Sequence, residues 1–304
     1  MTCDGLHPTR TLGETLGGVV RAMRPRQWIK NVLVVAAPLA TLGGAVRYDY
    51  AKVCGAAGAA FVVFSLAASA IYLVNDARDV SADRVHPTKR FRPIAAGVVA
   101  PTVAYLVAIA LSVASLSLSM AVSPALTLVV GTYLAIQLAY CLGLKHQVVL
   151  DICIVSSAYL LRAIAGGAAT GIPLSQWFLL VMAFASMFMV AGKRYAELQL
   201  AERTGAKIRR SLERYTQTYL RFVWTLSAAA VVVFYGLWAF ERDGQAGSWF
   251  TVSMIPITLA ILRYAVDVDA ASAGEPEEIV LSDRVLQVLG AVWIVVVALA
   301  IVLG

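Results

Sequence analysis

Nine stretches of this chain are apolar over lengths that can cross a bilayer, and that repetition constrains the fold more than any single residue does. A helical crossing needs about 20 consecutive apolar residues. The nine are roughly Trp28–Val46, Val53–Val74, Val98–Met120, Pro124–Leu142, Val148–Thr170, Trp177–Ala191, Leu220–Phe240, Trp249–Val266 and Val285–Leu303. Hydrophobic residues fill 60% of the 304 positions, well above the share of a soluble domain. The expected architecture is an all-α polytopic membrane protein of nine transmembrane helices. Connections are short except after spans two, six and eight, so one integral-membrane domain covers 1–304. Its polar parts are an N-terminal segment at 1–23 and two loops at 75–97 and 192–219. The first 20 residues hold no apolar core of signal-peptide length, so no cleaved leader is expected.

Basic residues fix the expected orientation. With the N-terminus in the cytoplasm, all but four of the 25 Lys and Arg residues fall on the cytoplasmic face. The exceptions are Arg47, Lys52 and Arg242 on the opposite face and Arg162 inside a span. A multi-pass protein of the plasma membrane is expected. Its net charge of +7 then reads as contact with anionic lipid or a phosphate-rich ligand, not as nucleic-acid binding.

Chemistry concentrates at the end of span two, which reads Asn75-Asp76-Ala77-Arg78-Asp79-Val80-Ser81-Ala82-Asp83. On a continuous helix Asp76, Asp79 and Asp83 share one stripe about 60° wide and about 10 Å long. Carboxylates so crowded raise one another's pKa unless a cation neutralises them. Hard oxygen ligands without Cys or His nearby favour Mg²⁺, which binds through one or two carboxylates plus substrate phosphates. The pattern predicts a Mg²⁺–diphosphate site at the membrane surface. The bland alternative is a solvated helix end, although topology is usually set by Lys and Arg.

Two further cytoplasmic stretches flank this one. Pro87 should end any helix continuing from span two, leaving Lys89, Arg90 and Arg92 on a loop able to fold back over the carboxylates. Ahead of span one, Arg24-Pro25-Arg26-Gln27-Trp28-Ile29-Lys30-Asn31 offers an interfacial tryptophan, with Lys30 and Asn31 set deeper than an anchor requires. At the end of span six, Lys193 and Glu197 share a helical face beside Arg194. Charges from Glu202 to Arg214 read as a solvated connector. Tyr140 and Lys145, closing span four, complete the candidate substrate contacts.

Arg162 lies 11 positions past Asp151, about 16 Å along the fifth helix. A cation at that depth normally faces the bundle interior with a partner. Gly166 and Gly167 follow it and predict a close helix contact. Cys3, Cys54, Cys141 and Cys153 form no CxxC pair, and the last three read as small buried hydrophobes. His7, His86 and His146 are too scattered for a metal site.

Asn75-Asp76-x-x-Asp79-x-x-x-Asp83, followed by Lys89-x-x-Arg92-Pro93-x-x-x-Gly97, resembles the first signature of the UbiA superfamily of intramembrane prenyltransferases. The resemblance spans all nine runs. It implies a helical bundle with a central cavity and a cytoplasmic cap, in which Asn75, Asp76, Asp79 and Asp83 hold Mg²⁺ and a diphosphate leaving group. The second signature departs: where aromatic prenyltransferases carry an Asp pair, this chain has Lys193-Arg194-Tyr195-Ala196-Glu197. Basic residues there suit a donor with an additional phosphate. Together with Leu161-Arg162-Ala163-Ile164-Ala165-Gly166-Gly167, the chain looks like the decaprenyl-phosphate phosphoribosyltransferase branch. That likeness implies phosphoribosyl pyrophosphate as donor, decaprenyl or another polyprenyl phosphate as acceptor, and a role in arabinan synthesis for the cell envelope. Cations must then hold three anionic groups, with Gln27, Lys30 and Arg162 toward the lipid phosphate and Lys193 and Arg194 toward the 5-phosphate. A lipid phosphate oxygen is already ionised, so no general base is required.

Two rivals remain at this level. A true prenyltransferase with an aromatic or haem acceptor is disfavoured by the second signature. A secondary transporter would suit an intramembrane Arg, yet the spans show no paired Gly/Pro interruptions near their centres. Membrane lipids surround the protein in every reading, and a homo-oligomer is compatible with all of them.

Overall fold

The computed structural model describes residues 12–39, 48–205, 212–241, 244–270 and 276–303, and all regular structure among them is helical. After α1 (Leu12–Ala22), a 3-10 segment (Pro25–Val35) leads into one turn, α2 (Ala36–Leu39). The long helices are α3 (Tyr50–Arg78), α5 (Pro101–Val122), α6 (Pro124–Leu142), α7 (Leu150–Thr170), α8 (Gln176–Thr204), α9 (Gln217–Phe240), α11 (Met254–Asp269) and α13 (Arg284–Leu303). Short α4 (Val80–Arg84) and α12 (Pro276–Ser282) fill connections, and α10 (Gly244–Val252) runs into α11 within one apolar span.

Helix starts follow from residues just outside the apolar runs. Ser123, Ser175 and Thr216 accept from the N–H groups of Leu126, Phe178 and Tyr219, satisfying donors that the first turn leaves over. Pro101 and Pro124 occupy first-turn positions that need no N–H. Helix α8 ends on Gly205 in the left-handed region, φ 67°. At 29 residues it is about 43 Å long against a hydrocarbon core of about 30 Å, so it continues well past the expected span.

Eight helical segments are long and apolar enough to cross a membrane, which makes this a multi-pass membrane protein. They correspond to spans two to nine. The first run differs over its described part: Pro25–Val35 is 3-10 and only 36–39 are α-helical. Arg26, Gln27, Lys30 and Asn31 break its apolar face, and β-branched Ile29, Val32, Val34 and Val35 do little to favour an α-helix. The remainder of that run, 40–47, lies outside the described residues, as do Cys3 and His7. Both expected cap loops are partly helical, since 75–97 contains α4 and 192–204 belongs to α8.

Three apolar clusters hold the bundle. One joins α1, α3 and α5 through Ala22, Leu73, Ile94 and Val99. A second joins the 3-10 segment, α3, α6 and α7, with Phe64 and Tyr133 in ring contact at 5.1 Å. The third joins α8, α9 and α11, where Trp224 stacks between Phe188 and Tyr195 at 5.8 and 5.6 Å. Gly166 sits where α7 meets the 3-10 segment, and a Cβ there would fall onto the carbonyl of Val34. The predicted close contact is thus real, though its partner is this segment. Cys141 is buried as expected, whereas Cys54 is exposed.

Candidate active site

Alternating chain direction brings the C-terminal ends of α3, α6 and α8 and the N-terminal ends of α7 and α9 to one end of the bundle. The aspartates lie here, on two helices that meet at Asp79 rather than on one unbroken helix. Helix α3 stops at Arg78, Asp79 caps it with φ −88° and ψ 8°, and α4 begins afresh at Val80. Asp76 and Asp83 are buried at 2% and 3% exposure. Arg92 Nη1 donates to both, at 3.1 Å to Asp76 Oδ1 and 2.8 Å to Asp83 Oδ2. Arg24 Nη2 donates to Asp76 Oδ1 at 2.6 Å and its guanidinium lies over the Tyr72 ring at 4.9 Å. Asp79 Oδ1 accepts from Lys145 Nζ at 2.6 Å. Three cations therefore stand against three carboxylates.

The loop folds back as Pro87 suggested. Arg84 Nε donates to the Ala95 carbonyl at 3.2 Å, and His86 Nδ1 accepts from the N–H groups of Thr88 and Lys89, each at 3.3 Å. Arg92 is thereby delivered to the carboxylates. Lys89 is half-buried, while Arg90 is exposed and lies over the ring of Phe91. Asn75 is half-buried and its Oδ1 takes a weak contact from Cys141 Sγ at 3.8 Å.

Among the described residues no three His, Cys, Asp or Glu side chains converge on one point. Asp76 and Asp83 do share a cation position, since oxygens of both lie about 3 Å from one guanidinium nitrogen. Two hard carboxylates already arranged around a positive centre, with a third and an amide adjoining, fit a Mg²⁺ ion that completes its shell with ligand oxygens.

A second cluster surrounds Asp151, at 1% exposure. Its Oδ1 accepts from Arg194 Nη2 at 2.7 Å and Tyr140 Oη at 2.9 Å, and its Oδ2 from Tyr215 Oη at 3.3 Å. Burial first, and then the Asp151 charge, push the Tyr215 phenol well above its ordinary pKa, so it remains a neutral donor. Arg194 is buried and committed to Asp151, whereas its neighbours Lys193 and Glu197 are half-buried on another face of α8.

The third cluster lies deeper. Arg162 is buried, with Nε donating to Asn31 Oδ1 at 2.7 Å and Nη1 to the Ala158 carbonyl at 2.5 Å. Tyr133 and Tyr159 rings flank it at 5.5 and 5.7 Å, and Lys30 Nζ lies 6.0 Å from the same Tyr159 ring. Arg162 thus has the interior partners expected, and among the described residues no carboxylate is one of them. Asn31 in turn donates to Ser65 Oγ at 3.0 Å, fixing the depth on a second helix. Ser65 is 11 residues before Asp76, and Arg162 is 11 after Asp151, so both helices put this cluster about 16 Å beneath the first two. Gln27 is half-buried above it. Trp28 Nε1 donates to Ser69 Oγ at 3.1 Å, which fastens its ring to α3.

Sequence reasoning passed over Arg24, Asp151 and Tyr215. Arg24 carried a signal in retrospect, being a basic residue before a proline next to a polar run. Asp151 and Tyr215 carried none, because their partners are remote in sequence.

The membrane bundle, with polar clusters sunk into one end, defines a class before it defines a member. Solved structures show the same fold: a UbiA homolog from Archaeoglobus fulgidus bound to GPP and Mg²⁺ superimposes with a TM-score of 0.68, 17% identity, and coverage of 93% of this chain and 98% of that one. A form of that protein bound to Cd²⁺ superimposes with a TM-score of 0.67. Residues 32–282 match the UbiA prenyltransferase family, and the chain belongs to it. In class it is a membrane-embedded transferase. Within the family it is 70% identical, over 97% of this chain and 98% of the other, to the decaprenyl-phosphate phosphoribosyltransferase of Mycobacterium tuberculosis. The enzyme of the same name from Corynebacterium glutamicum is 57% identical, over 93% and 86% of the two chains.

Proposed function

We propose that the chain transfers 5-phosphoribose from phosphoribosyl pyrophosphate to decaprenyl phosphate, releasing diphosphate, at the cytoplasmic face of the plasma membrane, in support of arabinan synthesis. The observation that carries this reading is the 70% identity sustained over nearly the whole of both chains. The site supports it chemically. Asp76, Asp79 and Asp83, with Asn75, would hold Mg²⁺, which when bound supplies Lewis-acid withdrawal of charge from the diphosphate. Arg24, Arg92 and Lys145 exchange carboxylate partners for phosphate oxygens, with Lys89 nearby and Arg90 at the rim. Arg194, through the N–H groups that Asp151 leaves over, and Lys193, from the adjoining face of α8, serve the 5-phosphate, and Glu197 orients Lys193 one helical turn away.

A lipid phosphate oxygen forms the new bond to C1 as the bond to the diphosphate oxygen breaks, and the electron pair departs with the diphosphate. No proton moves, in keeping with a site whose ionisable groups are carboxylates in ion pairs, cations and phenols. Lys30 and Gln27 approach the acceptor phosphate from the 3-10 segment. Arg162, which among the described residues has no carboxylate partner, lends positive potential from below.

The test is transfer of label from phosphoribosyl pyrophosphate to decaprenyl phosphate by purified protein in detergent. Labelled lipid is expected, and a chelator should abolish its formation. Absence of transfer, with consumption of a prenyl diphosphate and an aromatic acceptor instead, would overturn the reading in favour of a true prenyltransferase.

A further inference from the structure

Asp151 takes no part in the chemistry above, yet Tyr140 from α6, Arg194 from α8 and Tyr215 from the approach to α9 all bond to it. Burying such an ion pair is costly, and packed apolar residues in its place commonly stabilise a protein as much or more. Stability alone is therefore a poor reason for it. Two other features bear on its purpose. Val149, which caps α7, has φ 74° and ψ −57°, a region that a β-branched residue adopts only under constraint. That strained turn sets the register in which α7 begins and so places Asp151 two residues on. In addition, Arg194 Nε is buried with no hydrogen-bond partner among the described residues, while Nη2 of the same guanidinium is held. A buried donor left over in an otherwise bonded group calls for an explanation, and a planar fork anchored at one nitrogen can still take a phosphate oxygen.

We infer that Asp151 is a positioning residue for donor recognition, holding Arg194 so that its remaining N–H groups meet the 5-phosphate of the sugar donor. This rests on the donor reading of Arg194 given above. Orientation is what Asp151 supplies, because its own negative charge opposes a phosphate. The two effects have opposite signs, and the sign is what an experiment reads.

Steady-state kinetics on the full chain in detergent, with Mg²⁺, phosphoribosyl pyrophosphate and decaprenyl phosphate, would compare Asp151→Asn, Asp151→Glu, Arg194→Gln and the double variant Asp151→Asn/Arg194→Gln. Asp151→Asn should raise the donor KM about tenfold, the scale of a hydrogen bond to a charged group, and leave the lipid KM unmoved. Asp151→Glu should recover part of the loss. The double variant should match Arg194→Gln alone, since both changes act through one guanidinium. A donor KM that stays constant or falls in Asp151→Asn, or effects that multiply in the double variant, would overturn the inference. Should Asp151→Asn fail to fold, the double variant removes both charges together, and Tyr215→Phe removes one partner of Asp151 without touching the charge. An unchanged donor KM in Tyr215→Phe, with a double variant worse than Arg194→Gln, would then overturn it. Calorimetry on the wild type separates the two failures. If the wild type binds no donor, the functional reading falls and takes this inference with it; normal binding shared by Asp151→Asn sinks the role of Asp151 alone.

Discussion

Asp76 and Asp83 are sealed from solvent and share Arg92, so removing either carboxylate takes one of that guanidinium's two partners as well as a proposed metal ligand. Asp76→Ala, Asp79→Ala and Asp83→Ala should each lower turnover by at least about 10²-fold, the cost of losing a preorganised electrostatic group. Near-normal rates in all three would defeat the assignment. Arg162→Lys keeps the charge but loses the planar fork that reaches Asn31 and the Ala158 carbonyl together. A raised KM for decaprenyl phosphate is expected in a folded protein, and unaltered lipid kinetics would leave Arg162 a structural residue. Gly166→Ala pushes a methyl group into the Val34 carbonyl and should cost at least about 1–3 kcal/mol, seen as a lower Tm in detergent. At this scale the sequence marked residues that the fold gathers into polar clusters and was poor about their partners. Spacing identified the aspartates and Arg162, but the bonds to Arg24, Lys145 and Asn31 span 52 to 131 positions, beyond any local pattern.

Pro87 was enough to foresee a returning loop, because a proline's effect on the backbone is local. The break at Asp79 was not foreseeable, since Asp79-Val80-Ser81-Ala82-Asp83 holds no Pro or Gly to mark where a helix stops. Its consequence lies in the charge balance of the whole loop. With three cations against three carboxylates, a lone Mg²⁺ must displace Arg24, Arg92 or Lys145, and a lone diphosphate must approach aspartates. Neither should bind well without the other. Calorimetry should show weak heats for each ligand alone and strongly coupled binding for the pair, whereas independent affinities would refute this exchange. The first apolar run suits a span by its apolar count, and its described part is wound as a 3-10 helix with Arg24 and Asn31 bonded to side chains of α3 and α7.

Eight of the nine apolar runs became long helices, because hydropathy and chain length alone decide whether a segment suits a bilayer. Orientation rests on the Lys and Arg bias. In a cysteine-free background, Lys52→Cys should react with an impermeant maleimide on intact cells and Arg203→Cys only after permeabilisation; the reverse pattern would invert the molecule. One feature of the bundle carries a mechanical consequence. The Pro25–Val35 segment, wound as a 3-10 helix, stretches to about 22 Å, where the same 11 residues as an α-helix would cover about 16 Å. Its upper end is moored to Asp76 through Arg24, which sits in a strained left-handed conformation, and seven residues on, about 14 Å at the 3-10 rise, Asn31 moors it to Arg162 and Ser65. The segment thus joins two polar clusters, and a ligand that drew Arg24 off Asp76 should be felt at the buried Asn31. Donor and acceptor affinities should then be linked reciprocally, each altering the other by the same factor.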